Sequence, residues 1–257
     1  MRMLLLLLSL LPLSSHAESA ADKGLAIARE SDTRDNGYGD STASMRMLLK
    51  NKQGGESTRE IRIRTLEMPQ DGDRSLSIFD TPEDVKGTAL LTFTHKTDAD
   101  DQWLYLPALK RVKRIASENK SGPFMGSEFA YEDIASQEVE KYTYKYLRDE
   151  RFDDQDCFVI ERYPADKNSG YTRQVVWIDK AEYRPLKIEF FDRKDAPLKI
   201  LSLKNYRQYL DKYWRAEEMA MENHQTGKST RLIWTDYHFR TGLTERDFDR
   251  NSLQRAR

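Results

Sequence analysis

A single cysteine, Cys157, occurs among 257 residues. No internal disulfide can form, and a lone thiol cannot supply a cysteine-based zinc site. Long apolar runs are missing past the N-terminus, where nothing approaches the ~18 residues that a membrane span needs, so a soluble protein is expected. The 12 glycines never gather ahead of a helix as a phosphate-cradling loop, which removes nucleotide binding from consideration. Nor is one charge sign in excess. With 42 Lys and Arg against 43 Asp and Glu the net charge is -1, and neither nucleic acid nor another polyanion is implied as a partner. Beyond the first seventeen residues the histidines are His95, His224 and His238, and none sits in a nucleophile-elbow or metal-helix pattern. The expectation is a protein that is not an enzyme and uses no metal or cofactor.

What the sequence does contain begins with Arg2, a leucine-rich run from Leu4 to Leu13, and Ser15-His16-Ala17. A basic start, an apolar middle and a small-residue exit read as a secretory leader, with cleavage expected after Ala17. The residue directly after that point is Glu18 rather than a cysteine, so no lipid anchor is expected at the mature N-terminus. Residues 18–257 are expected to form one domain, and an apolar content of 38% over all 257 residues, raised by the leader's own leucines, points to a thin core.

Residues 19–33 place Ala21, Leu25 and Ala28 at helical spacing, with Gly24 against the helix and Asn36-Gly37 ending it. From Ser41 the period becomes two. Met45, Met47 and Leu49 alternate with polar neighbours, Gly54-Gly55 turns the chain, and Ile61, Ile63 and Thr65 complete a β-hairpin. Alternation returns near Leu91, Trp103, Tyr144, Phe158, Val175, Ile188, Leu198, Met219 and Tyr237, giving eleven to thirteen strands and no long βαβ crossover. Two interruptions occur, at Pro82 to Val85 and at Ser121 to Ser136. The second predicts a loop and a short helix capped by Ser127, with Glu128 in its first turn. Thr244, Phe248 and Leu253 outline a weak C-terminal helix.

Each candidate for chemistry has a plainer explanation. His95 and His238 lie in predicted strands, where a structural hydrogen bond is the commoner role. Ser117-Glu118-Asn119-Lys120 has Ser-x-x-Lys spacing without its companion motifs. Asp98, Asp100 and Asp101 lack the central Gly and distal Glu of a calcium loop and read as a polar turn. Cys157 starts a strand and reads as a small buried residue. The densest signal is Asp101-Gln102-Trp103-Leu104-Tyr105-Leu106-Pro107 followed by Lys110-Arg111-Val112-Lys113-Arg114, a hairpin with a basic tip. Those cations either dock anionic headgroups or an acidic partner, or protect a solvated strand end. Tyr142, Tyr144 and Tyr146 share a strand face that lines a groove or closes a core, and Met45, Met47, Met219 and Met221 suit an adaptable lining or ordinary filling.

The run from Asp101 to Ile115, with Gly122-Pro123-Phe124-Met125-Gly126-Ser127-Glu128-Phe129-Ala130-Tyr131-Glu132-Asp133-Ile134, resembles the outer membrane lipoprotein-sorting family, relatives of the periplasmic carrier LolA. Trp177-Ile178-Asp179, Pro185 to Asp192 and Thr230 to Leu243 extend the likeness over most of residues 22–250. The resemblance implies a mainly β (α+β), LolA/LolB-like fold: one curved antiparallel half-barrel of about eleven strands around an apolar hollow, with short covering helices. It also implies a periplasmic carrier of lipid or lipidated protein, working with an RND (MMPL-like) exporter. In that picture Phe93, Trp103, Tyr105, Phe124, Phe129, Tyr142, Tyr144, Met219 and Met221 line the hollow, and Lys110, Arg111, Lys113 and Arg114 dock a partner or headgroup. The alternative is an interaction or sensor domain whose barrel is filled by its own side chains.

Overall fold

The computed structural model describes residues 18–255, and the leader expected at 1–17 lies outside the described residues. A helix, α1 (Ala20–Asp35), comes first. Ser19 caps it by accepting the Asp22 N–H at 3.1 Å, and Asp22 and Arg34 stand in the turns where their charges suit the helix dipole. Gly24 costs a helix about 1 kcal/mol relative to Ala, yet it has a use. A Cβ there would lie 2.8 Å from the backbone nitrogen of Tyr146 and 2.9 Å from that of Lys145, so the helix rests directly on a strand's backbone.

The strands follow in two runs. The first comprises β1 (Asp40–Lys50), β2 (Glu56–Leu66), β3 (Arg74–Thr81), β4 (Ala89–Phe93), β5 (Asp101–Leu106) and β6 (Arg111–Ile115). The second comprises β7 (Tyr142–Phe152), β8 (Gln155–Pro164), β9 (Tyr171–Asp179), β10 (Pro185–Asp192), β11 (Pro197–Tyr209), β12 (Tyr213–Asn223) and β13 (Lys228–Phe239). All 13 join one sheet, in which β6 and β7 are the two edges and β1 lies beside β13. Every pairing is antiparallel. At the seam Met45 faces Ile61 on one side and Trp234 on the other, and Met47 faces Arg59 and Leu232.

Leu104 and Ile115, near one edge, share an apolar cluster with Tyr144 and Ile160, near the other. Asp100, just before β5, also pairs with Lys141, just before β7. A flat sheet would hold those two strands about 50 Å apart at roughly 4.8 Å per strand, so the sheet curls into the expected half-barrel. Among the described residues the strand count is 13 rather than about eleven. The two that an alternation count leaves out are β3 and β6. Leu76, Ser77, Ile78 and Phe79 of β3 are buried on both faces, which erases the polar half of the period. The basic residues of β6 read instead as part of a hairpin tip.

Two helix expectations need correction. The short helix α2 (Tyr131–Ile134) starts later than Ser127 implies, because the Ser127 hydroxyl accepts the Phe129 N–H at 3.2 Å and closes its own turn. Asp133 instead anchors the start of α2, accepting the Ala130 N–H at 2.7 Å. The C-terminal segment forms 3-10 turns at Glu245–Phe248 and Arg250–Arg255 rather than an α-helix. They lie over the convex face of β3 to β5, where Phe248 and Leu253 are buried.

Candidate functional site

Residues 116–141 connect the two edge strands, and their apolar side chains enter the cluster on the concave face. Their middle, residues 122–134, forms a plug. Phe124 (0% exposed) meets Phe79 with ring centroids 5.8 Å apart, Tyr131 stands edge-on to Phe124 at 5.7 Å, and Phe129 is 2% exposed. The Met125 carbonyl accepts from Arg59 of β2, which ties the plug to the first run of strands.

Polar contacts clip the plug to the second run. Lys199 of β11 donates to the Glu128 carbonyl at 2.8 Å and to the Asp133 carboxylate at 2.7 Å. Both ion-pair side chains are nearly out of water, 5% and 8% exposed. Tyr171 of β9 donates its hydroxyl to Asp133 at 2.9 Å. Burial, and then the charge of Asp133, hold that phenol well above its ordinary range, so it remains a donor. Around this pair, Glu132 accepts from the Ser169 hydroxyl at 2.7 Å and the Gly170 N–H at 2.8 Å, and Asn223 donates to Glu128 at 2.7 Å. A buried ion pair adds little over apolar packing, but losing one partner is costly. The latch therefore fixes where the plug sits.

The strand ends at which β1 begins and β13 finishes are less tightly filled. An inner cavity of ≈200 Å³ lies between Asp35, Tyr38, Ile63, Ser136 and Arg215, and an outer one of ≈440 Å³ lies among β11, β12 and β13. Trp234 and Tyr237 border both. Only the outer volume reaches the ~300–1,000 Å³ usual for ligand pockets. Arg215 pairs with Asp35 and lies 5.1 Å from the Tyr38 ring, whose hydroxyl donates to Asp73 at 2.9 Å. Burial raises the Asp73 carboxyl, and burial followed by the charge of Asp73 pushes nearby Glu138 up to about 7.

The expected lining residues fall into two groups. Phe124, Phe129, Tyr144 and Met221 belong to the concave cluster, and Tyr142 and Met219 pack against it. Phe93, Trp103 and Tyr105 stand elsewhere, because strand alternation turns them away from Leu90 and Leu104. They lie on the convex face under the C-terminal turns, with Phe93 and Trp103 rings 5.2 Å apart and the Arg250 guanidinium 5.8 Å from Trp103. Lys110, Arg111, Lys113 and Arg114 are exposed on the β5–β6 hairpin beside Leu109, which is 65% exposed, and Arg114 pairs with Asp101.

The other candidates have structural partners. His95 Nδ1 is 2.6 Å from Asp71, Asp100 pairs with Lys141, Lys120 pairs with Asp166 at 2.7 Å, and Cys157 is buried. Among the described residues no group of three or more His, Cys, Asp or Glu is placed to hold a metal, and no helix is long and apolar enough to cross a membrane. Sequence reasoning missed the latch. Its signal was present: Lys199 is in phase with buried Leu201 and Leu203, but Leu198 and Ile200 make the neighbouring phase apolar too.

A family described as an uncharacterized protein matches residues 71–255. Among solved structures, a Vibrio parahaemolyticus domain provisionally assigned to outer membrane lipoprotein sorting is 64% identical, with a TM-score of 0.90 over 91% of this chain and 99% of that one. A DUF1329 family protein from Desulfovibrio piger is 29% identical, with a TM-score of 0.87 over 91% and 99% of the two chains. A LolA superfamily protein from Nitrosomonas europaea is 20% identical, with a TM-score of 0.72 over 89% and 98%, a likeness of fold. None of the curated proteins matches the sequence.

Proposed function

Because this chain belongs to the LolA-like family of outer membrane lipoprotein-sorting proteins, we propose that it is a non-enzymatic periplasmic carrier for a lipid or the acyl chains of a lipidated protein. In this reading residues 1–17 are a leader cleaved after Ala17, residues 18–257 are one domain, and an RND/MMPL-type transporter supplies or receives the cargo. The carrying observation is the plug. Its apolar side chains fill the concave face, yet its attachment to the second run of strands is a short set of polar contacts centred on Lys199 and Asp133.

Scale supports the exchange of plug for cargo. Burying an alkyl chain of ~16 carbons gains on the order of 12 kcal/mol before entropy costs, at about 0.8 kcal/mol per CH2. Re-exposing Phe124 and Phe129 gives back roughly 3–6 kcal/mol. The difference is left to offset the latch and the ordering of the ligand. Phe124, Phe129, Tyr142, Tyr144, Met219 and Met221 are the residues that would meet the chain, and the Lys110–Arg114 tip would meet anionic headgroups.

One observation favours a second reading. The plug leaves Phe124 and Phe129 almost without exposure, as in an interaction domain whose barrel is filled by its own side chains. Native mass spectrometry and lipid extraction of protein purified from a Gram-negative periplasm separate the two. Co-purifying molecules with alkyl chains are expected. Repeatedly empty protein that also fails to take up palmitate on incubation would replace the carrier reading with the second.

A further inference from the structure

Hydrogen bonding between β12 and β13 stops at Glu218 opposite Ile233, although β12 begins at Tyr213 and β13 continues to Phe239. Each strand keeps its other neighbour to the end: Tyr213 pairs with Tyr209 of β11, and Phe239 pairs with Ser41 of β1. The sheet therefore forks, and the ≈440 Å³ cavity occupies the fork. Past the gap, rings clasp the two arms, with Tyr209 5.3 Å from Tyr237 and Tyr213 stacked on Phe239 at 6.3 Å. The result is a window in the sheet wall rather than a frayed end.

The window has a definite chemistry. Trp234, Tyr237 and Tyr209 give it aromatic faces, while Glu217, Glu218 and Asp236 give it carboxylates. Trp234 Nε1 is a buried donor with no acceptor among the described residues. Asn205 and Asp236 on its rim hold left-handed backbone, with φ of 55° and 54°, a conformation that Asn and Asp tolerate. An alkyl chain would leave the Trp234 donor unpaired, and a phosphate would meet three carboxylates, with Arg207 already 3.7 Å from Glu217 and Arg231 already 3.1 Å from Glu218. A hydroxyl both donates and accepts, whereas a carboxylate only accepts and an indole only donates. Several hydroxyls on one ring satisfy both, and the ring's C–H face can lie against an aromatic face.

We propose that the β12–β13 window binds a polyhydroxylated ring, a sugar that is either free or the headgroup of a lipid. In the headgroup form the inference rests on the carrier reading, with the attached chain running inward past Trp234 and Tyr237, the residues shared with the inner cavity.

The test follows the four indole N–H signals of the labelled protein during titration with methyl maltoside, with dodecyl maltoside below its micelle concentration, and with dodecylphosphocholine. Either maltoside is expected to move the Trp234 signal and leave Trp103 and Trp177 in place. A shift with methyl maltoside identifies a free-sugar site, and a shift with dodecyl maltoside alone identifies a lipid headgroup. Trp234→Phe keeps a ring and loses the donor, and it should weaken binding roughly two- to tenfold, the worth of one neutral hydrogen bond. Glu217→Gln is a second, independently folding probe of the rim and should also weaken it. No Trp234 response to either maltoside, or an equal response to dodecylphosphocholine, overturns the proposal. Palmitate uptake read by native mass spectrometry reports on the carrier reading separately.

Discussion

Replacing Lys199 with Met tests the latch most directly. The substitution keeps the length of the apolar stem and removes the ammonium that holds Asp133 at 2.7 Å and the Glu128 carbonyl at 2.8 Å. Asp133 stays buried without its cation, a loss typically worth about 3–5 kcal/mol. If the loss falls on plug opening, the open population rises roughly a hundred- to several-thousandfold, at about 1.4 kcal/mol per tenfold. Hydrogen exchange reads this at two amides of the plug, Phe124, bonded to the Phe129 carbonyl at 2.7 Å, and Glu132, bonded to the Lys120 carbonyl at 3.0 Å, with β8 and β9 amides as the reference. Those plug amides should lose protection while the reference changes little. Adding Asp133→Asn to Lys199→Met removes the orphan charge and keeps an acceptor for Tyr171 and the Ala130 N–H, so it should restore at least half of the loss. Equal loss across the whole sheet, or a double variant no better than the single, would refute the reasoning.

Other substitutions bear on the remaining contacts. Gly24→Ala improves helix propensity by about 1 kcal/mol but drives a methyl onto the β7 backbone at a cost of about 1–3 kcal/mol, so urea unfolding should show a net loss of up to about 2 kcal/mol, and a gain would contradict the contact. Glu138 binds its proton more tightly folded than unfolded between pH 4.5 and about 7. Burial is the main cause, followed by the charge of Asp73, with Asp32 adding to it and Lys141 and Lys96 opposing it. Its contribution to stability therefore falls as pH rises through that window and levels off above it. Glu138→Gln should flatten this part of the pH–stability curve, and an unchanged slope would assign it to other groups. Changing Lys110, Arg111 and Lys113 to Gln should weaken sedimentation with phosphatidylglycerol vesicles about a hundredfold at low salt, from ~1 kcal/mol per charge. Unaltered sedimentation would show that the tip does not touch the bilayer.

The strands were legible because most have one face in a core and one in solvent, so period two survives in Met45 and Met47 or in Ile188 and Phe190. It fails at β3, where apolar clusters cover both faces of Leu76 to Phe79. Alternation also leaves the sense of each face open. Trp103 and Leu104 are equally good candidates by pattern, and only the curl of the sheet sends Leu104 inward and Trp103 beneath the C-terminal turns. Left-handed residues such as Asp236 shift the phase along a strand, so the end of β13 was unreadable in advance. The plug motif around Phe124 and Phe129 stood out as a sequence. Its partners Lys199, Tyr171 and Asn223 are 37 or more residues away, and nothing local couples them to it.

The seam between β1 and β13 has a consequence for how the chain is made. Within either run each strand pairs with the next, so both halves can zip up hairpin by hairpin. Joining them requires Ser41 to find Phe239. Extending a loop raises its closure entropy only logarithmically, but folding slows as contacts become more distant in sequence. A polypeptide emerging N-terminus first therefore carries the outer edge of β1, with Met45 and Met47, as an unpaired template until β13, the last strand, is synthesised. That interval is when chains of this architecture are most exposed to pairing with one another, and when a holding chaperone has most to protect.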